Sequence, residues 1–228
     1  MTLYVIGVGP GDPELITLKG IEKIKNAEVV TGWGSVIERF SKYTEGKKVI
    51  PLNYKEESKL LGEVMNLAKD KEVAFLNHGD PAVSDYQLLD KLKKLAKEYG
   101  VSLEIIPGVS SIIRALQIVE RDLTQVIVVT LHVRGEINYS KLKDLIKTGR
   151  DLLIIPEPYP DGVKRIALQF EKEDPTLTIM EKLTYPDEKV WKFKCSEIIK
   201  GDIKFGDLTI VYVPSVTEMG VKGMKGDG

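Results

Sequence analysis

The apolar run Leu3–Ile6 ends at once in Gly7-Val8-Gly9-Pro10-Gly11-Asp12-Pro13, and a helical pattern follows from Leu18. A strand that stops in a glycine-rich turn and hands over to a helix is the opening of an α/β unit. The pattern recurs twice. Val73–Asn77 runs into His78-Gly79-Asp80-Pro81, and Leu103–Ile106 runs into Pro107-Gly108-Val109-Ser110-Ser111. In a parallel sheet the turns that follow the strands share one edge, and ligands of open α/β folds bind there. Three glycine-bearing turns on one edge are harder to explain as backbone convenience than one.

Glu28–Thr31 and Lys48–Ile50 complete the strand candidates of this half. The helices expected between them are Leu18–Asn26, Ser35–Tyr43, Glu57–Asp70 and Tyr86–Tyr99, with Val109–Val119 after the last turn. The second half changes style. Its strand candidates are Gln125–Leu131, Leu152–Pro156, Leu177–Leu183, Lys189–Lys194 and Leu208–Val213. Helical patterns cover Tyr139–Thr148 and Gly162–Gln169, and little helix separates the last three strands. The expectation is an α/β protein with a mainly parallel sheet in residues 1–119 and a mixed sheet in 120–214. Residues 215–228, rich in Gly, Lys and Met, read as a flexible tail.

The charge balance narrows the function. The 228 residues carry a formal net charge of −1, without the basic excess of a dedicated nucleic-acid binder. A single cysteine, Cys195, excludes an internal disulfide, and two histidines leave little material for a metal centre. No apolar stretch reaches the roughly 18 residues of a membrane span, and no secretory pattern opens the chain. The expected location is the cytoplasm.

Common nucleotide fingerprints fail at the first turn. A dinucleotide site needs a third glycine where Asp12 stands, and a carboxylate where the second strand ends in Val30-Thr31-Gly32. Pro10 removes one N–H from a phosphate cradle, and no Gly-Lys-Ser/Thr follows. Taken alone, this turn fits a purely structural βα connection equally well.

Together and in this order, the three turns resemble the tetrapyrrole (corrin/porphyrin) methylase family. Gly7–Thr17 is similar to its G-x-G-P-G-D-P-x-x-L-T start, His78–Pro81 to its small-Gly-Asp-Pro signature, and Ile105–Ser111 to its P-G-[VI]-[ST]-[SA] turn. Within the family, Thr130-Leu131-His132 with Arg134, and the stretch Glu181–Lys189, resemble the subgroup that methylates C5 of cobalt-precorrin-7 in cobalamin biosynthesis. The chain departs from the pattern at His78, at Ala82–Asp85, at Val133 and at Lys182.

The resemblance implies a two-domain tetrapyrrole methylase fold, a homodimer, and S-adenosylmethionine in a cleft between the domains. It implies a cobalt-precorrin substrate and a separate partner for the neighbouring C15 methylation and decarboxylation. It carries cofactor contacts to Pro10, His78, Gly79, Asp80, Val83, Ser110 and Ser111. Asp80 suits the cofactor's ammonium or a ribose hydroxyl, and equally a turn before Pro81. Ser110 and Ser111 can equally cap the following helix.

A sulfonium methyl is already activated, so alignment is the enzyme's main task and no triad or metal is required. The resemblance names no catalytic base. A tetrapyrrole carries many carboxylates, for which Arg114, His132 and Arg134 are the candidates. Their ordinary alternative is a solvated charge for the arginines and a structural histidine for His132. Trp33, Tyr185 and Trp191 are expected as core or interface aromatics. The competing reading is another methylase of this fold, acting at a different precorrin position or on protein or RNA.

Overall fold

The computed structural model describes residues 1–215. The elements of the first half are β1 (Thr2–Gly7), α1 (Leu18–Asn26), β2 (Val29–Trp33), α2 (Gly34–Glu38), α3 (Ser41–Thr44), β3 (Lys48–Leu52), α4 (Glu57–Leu67), β4 (Val73–Asn77), α5 (Tyr86–Tyr99) and β5 (Ser102–Ile106). They are followed by α6 (Ser111–Ile118), β6 (Val126–Thr130), α7 (Lys141–Ile146), β7 (Asp151–Ile155) and α8 (Gly162–Gln169). The chain then forms β8 (Thr176–Glu181), β9 (Lys189–Lys194), α9 (Cys195–Lys200) and β10 (Thr209–Val213). Contacts divide it into two units. The first is Met1–Ile113 with Thr184–Pro186, and the second is Arg114–Leu183 with Asp187–Gly228. The division falls inside α6, ahead of the expected boundary between residues 119 and 120, and the excursion at Thr184–Pro186 was not expected.

In the first unit the sheet order is β3-β2-β4-β1-β5, with every pair parallel. The two-residue period of a strand sends neighbouring side chains to opposite faces. Leu3, Val5, Val73 and Phe75 therefore pack with Leu61, Met65, Leu89 and Leu92 of α4 and α5. Ile6, Ala74, Leu76 and Ile106 pack on the other face with Ile24, Val36, Ile37 and Phe40. Burial on both faces explains why these strands read as continuous apolar runs. Capping sets the helix ends: Thr17 Oγ1 accepts the Gly20 N–H (3.0 Å), and α5 stops at Gly100 with φ 68°.

The helix expected over Ser35–Tyr43 is two short pieces, α2 and α3. Between them Phe40 is fully buried in the core, while Arg39 turns its guanidinium to the Gly11 carbonyl.

In the second unit the order is β6-β7-β10-β8-β9. Only β6 and β7 pair in parallel, as a mixed sheet requires. Helix α9 was not expected. Its six residues are too few to show a period, and it is held by buried Cys195 and Ile198. Asp174 anchors its start, accepting the Ser196 N–H (2.8 Å) and hydroxyl (3.0 Å). Ser215, the first residue of the expected tail, donates its N–H to Asp151 (2.7 Å); the rest of that tail lies outside the described residues. Among the described residues no helix is long and apolar enough to cross a membrane.

Candidate functional site

The order β4-β1-β5 places the three glycine turns side by side at the carboxyl edge of the parallel sheet. Backbone hydrogen bonds lace the first two. Val8 N–H donates to the Asn77 carbonyl (3.0 Å), Gly9 N–H to Gly79 (3.3 Å), and Gly79 N–H back to Gly9 (2.9 Å). Asp80 fastens the third: its Oδ2 accepts the Gly108 N–H (2.8 Å) and its Oδ1 accepts the Ala82 N–H (2.7 Å).

This lacing explains two of the glycines. A Cβ on Gly108 would stand 2.5 Å from the carbonyl oxygens of both Gly7 and Gly79. One on Gly7 would stand 2.6 Å from the Gly108 nitrogen. Gly79 differs: it needs its φ of 69°, but a Cβ there would meet nothing nearer than Ser110 Cα at 3.9 Å. The turns thus pack backbone on backbone at Gly7 and Gly108, while Gly79, itself buried, has room for a Cβ but needs its positive φ.

The seven residues expected to touch the cofactor all lie in the first unit, on this edge. Pro10, Gly79 and Ser110 are buried; His78, Asp80, Val83 and Ser111 are half-buried. Val83 N–H donates to the Asp80 carbonyl (3.0 Å), holding the second turn closed. Ser110 Oγ accepts the Ile112 N–H (3.1 Å), so its helix-capping role is present in the structure. Asp12, which breaks the dinucleotide fingerprint, caps the 3-10 turn Pro13–Leu15 through the Glu14 N–H (2.8 Å).

The three substrate candidates fall in the second unit. Arg114 donates from Nε (3.2 Å) and Nη2 (2.7 Å) to the two oxygens of Glu188, so it already grips a carboxylate. His132 and Arg134 are exposed beyond β6, and the His132 N–H donates to Thr130 Oγ1 (3.3 Å).

The sequence pattern missed three neighbours of the turns. Thr184 Oγ1 accepts the Asp12 N–H (3.0 Å). Tyr185 stacks on His78, with ring centroids 6.4 Å apart. Arg39 sits over the Tyr185 ring at 5.1 Å and donates from Nη1 to the Gly11 carbonyl (2.7 Å). Its Nε and Nη2 are buried and make no hydrogen bond. Burial pulls its pKa below the ordinary arginine value, and the Tyr185 phenol acts in the opposite direction. Thr184 holds φ at 67° and Lys182 at 52°. For a β-branched residue the left-handed region is a strained conformation of the kind that collects at functional sites.

A cavity of about 500 Å³ in the second unit is lined by Tyr139, Glu157, Arg165 and Leu168 among others, and contains none of the predicted site residues. Among the described residues no group of three or more His, Cys, Asp or Glu could hold a metal ion.

A family model described as Tetrapyrrole (Corrin/Porphyrin) Methylases matches residues 2–199. A probable cobalt-precorrin-7 C(5)-methyltransferase of Methanocaldococcus jannaschii is 32% identical over 203 residues, covering 89% of this chain and 94% of the relative. A cobalt-precorrin-4 C(11)-methyltransferase of Priestia megaterium is 31% identical over 205 residues, covering 83% and 78%. The X-ray structure of a cobalt precorrin-4 methyltransferase superposes with a TM-score of 0.77 at 27% identity, covering 93% and 94%.

Proposed function

The chain belongs to the tetrapyrrole (corrin/porphyrin) methylase family, and from that premise we propose that it transfers a methyl group from S-adenosylmethionine to C5 of cobalt-precorrin-7. The observation that carries the reading is the lacing of three glycine turns on one sheet edge, where Gly79 keeps a positive φ and no side chain.

The residues present fit the cofactor. An adenosyl and amino-acid ligand takes hydrogen bonds from backbone groups, and this edge is built from backbone with no side chain at Gly79. Pro10, His78, Gly79, Asp80, Val83, Ser110 and Ser111 are the residues that hold it. S-adenosylmethionine supplies a methyl on a sulfonium, an electrophile that needs no further activation. The chain's own part is to bind, align and exclude water, which is where proximity contributes most, up to about 7–11 kcal/mol in favourable cases. Asp80 acts through its position: with both oxygens engaged by N–H groups, it keeps the second and third turns in register.

The choice of C5 rests on the Methanocaldococcus relative and on the Leu131-His132 and Tyr185–Glu188 segments. The Priestia relative, nearly as similar, favours a second reading, methylation at C11 of cobalt-precorrin-4. Incubating the protein with methyl-labelled S-adenosylmethionine and each precorrin, then locating the label by NMR, separates them. Label at C5 of cobalt-precorrin-7 supports the first reading and label at C11 the second. Tight cofactor binding with no transfer to any precorrin contradicts both and turns the search to protein or RNA.

A further inference from the structure

We propose that Arg39 is a carboxylate receptor of this site: the Nε–Nη2 edge of its guanidinium grips a carboxylate of a ligand held beside the glycine turns. The inference rests on the methyltransferase reading and adds to it a residue that the sequence pattern does not single out.

A guanidinium has a side-on edge, formed by Nε and one Nη, whose spacing matches the two oxygens of a carboxylate. Arg114 shows the pairing in this chain, with Nε and Nη2 on the two oxygens of Glu188. Arg39 is arranged differently. Its Nη1 is tied to the Gly11 carbonyl (2.7 Å), which fixes the group against the first glycine turn. The side-on edge is left over, and both of its nitrogens are buried without a hydrogen bond. Buried donors on a charged group are costly to leave unmet, and a native structure rarely leaves two on one side chain.

Nearby acids do not meet the need. Asp80 gives its two oxygens to the Gly108 and Ala82 N–H groups, and Asp12 gives Oδ1 to the Glu14 N–H. The rings of Phe40 (5.7 Å) and Tyr185 (5.1 Å) are near the guanidinium, and neither places an acceptor on its Nε or Nη2. A purely structural arginine bracing Gly11 uses Nη1 alone. The remaining edge has the shape and charge for one carboxylate. Tyr185 lies over the guanidinium and adjoins the strained backbone of Thr184.

Two ligands of the proposed reaction carry the group: the methionine part of the cofactor, and the acid arms of the tetrapyrrole. Calorimetric titration of wild type, Arg39→Gln and Arg39→Lys distinguishes them. The probes are S-adenosylmethionine, its decarboxylated analogue, the octacarboxylate uroporphyrin and the methyl ester of uroporphyrin. For a cofactor carboxylate, Arg39→Gln weakens S-adenosylmethionine about 10-fold or more and leaves the decarboxylated analogue unchanged. For a substrate arm, S-adenosylmethionine binding is unchanged, uroporphyrin weakens by a similar factor and the ester does not. Arg39→Lys keeps the charge without the edge and restores only part of the loss.

Thermal unfolding without ligand supplies the control. Removing an unmatched buried charge leaves the midpoint of Arg39→Gln at or above wild type, while the upward shift on adding ligand shrinks. Equal binding of all four probes by Arg39→Gln and a binding-competent wild type overturns the inference and leaves the methyltransferase reading standing. A wild type that binds none of the probes overturns both.

Discussion

The two sheets of this protein treat their polar groups in opposite ways. At the carboxyl edge of the parallel sheet, backbone meets backbone: Gly7 and Gly108 leave no room for a Cβ, and Asp80 serves N–H groups. In the second unit the charges serve one another. Asp151 accepts from Arg121 Nε (2.8 Å), the Tyr212 hydroxyl (2.6 Å) and the Ser215 N–H (2.7 Å), while Arg114 closes on Glu188. A region that has satisfied its own charges is built for stability. The region that packs backbone on backbone and leaves two donors of Arg39 unmet is the one where we propose that a ligand binds.

The sharpest way to break the contrast is Gly108→Ala. The new Cβ meets two carbonyl oxygens at 2.5 Å, both backbone and unable to yield cheaply. The expected loss is roughly 3 kcal/mol in denaturant unfolding, with cofactor binding abolished. An alanine tolerated there without loss of either would mean that the turns are not laced as described.

Asp151→Asn tests the other side, with an expected cost of about 2–3 kcal/mol and no change in cofactor affinity. Burial pushes the Asp151 carboxyl up, but hydrogen bonds from Tyr212, Ser215 and Arg121 outweigh it and hold the pKa below the ordinary aspartate value. A lowered folded pKa gives stability that is present above the unfolded pKa and lost as pH falls through the folded one. The gap between wild type and Asp151→Asn is therefore full at neutral pH and closes below about pH 4. A gap independent of pH contradicts the network.

Asp80→Asn removes one of two acceptors, stranding a backbone N–H at an expected cost of about 1–2 kcal/mol. Here, unlike at Asp151, calorimetry finds cofactor binding weakened, because the turns lose their register. The smallest effect belongs to Arg114→Gln. Its pair with Glu188 is partly exposed, with side-chain accessibilities of 40% and 21%. The expected change in unfolding free energy is under about 1 kcal/mol. A large loss of precorrin binding in that variant would support Arg114 as a substrate contact.

Much of the first unit was legible because its signals are local. Val73–Asn77 and Tyr86–Tyr99 follow from unbroken apolar runs and a helical stripe, and Gly100 marks where the stripe ends. The glycine turns were legible as a set because a parallel sheet has one carboxyl edge. Arg39 was not, because its neighbours Gly11 and Tyr185 are 28 and 146 residues away in sequence. Nothing in Glu38-Arg39-Phe40 reveals that a helix breaks there to aim a guanidinium. Tyr185 was visible only as an aromatic residue; its place beside His78 depends on a three-residue return of the chain to the first unit. Helix α9 escaped notice because its anchor, Asp174, lies two elements earlier.

We propose that the laced glycine edge holds S-adenosylmethionine. Backbone amide spectra of the labelled protein, recorded while S-adenosylhomocysteine is added, test it directly. Saturable shifts are expected at Gly9, Gly11, Gly79, Val83, Ser110 and Ser111. Tight binding that leaves those amides unmoved, or no binding at millimolar ligand, would contradict a cofactor site on this edge.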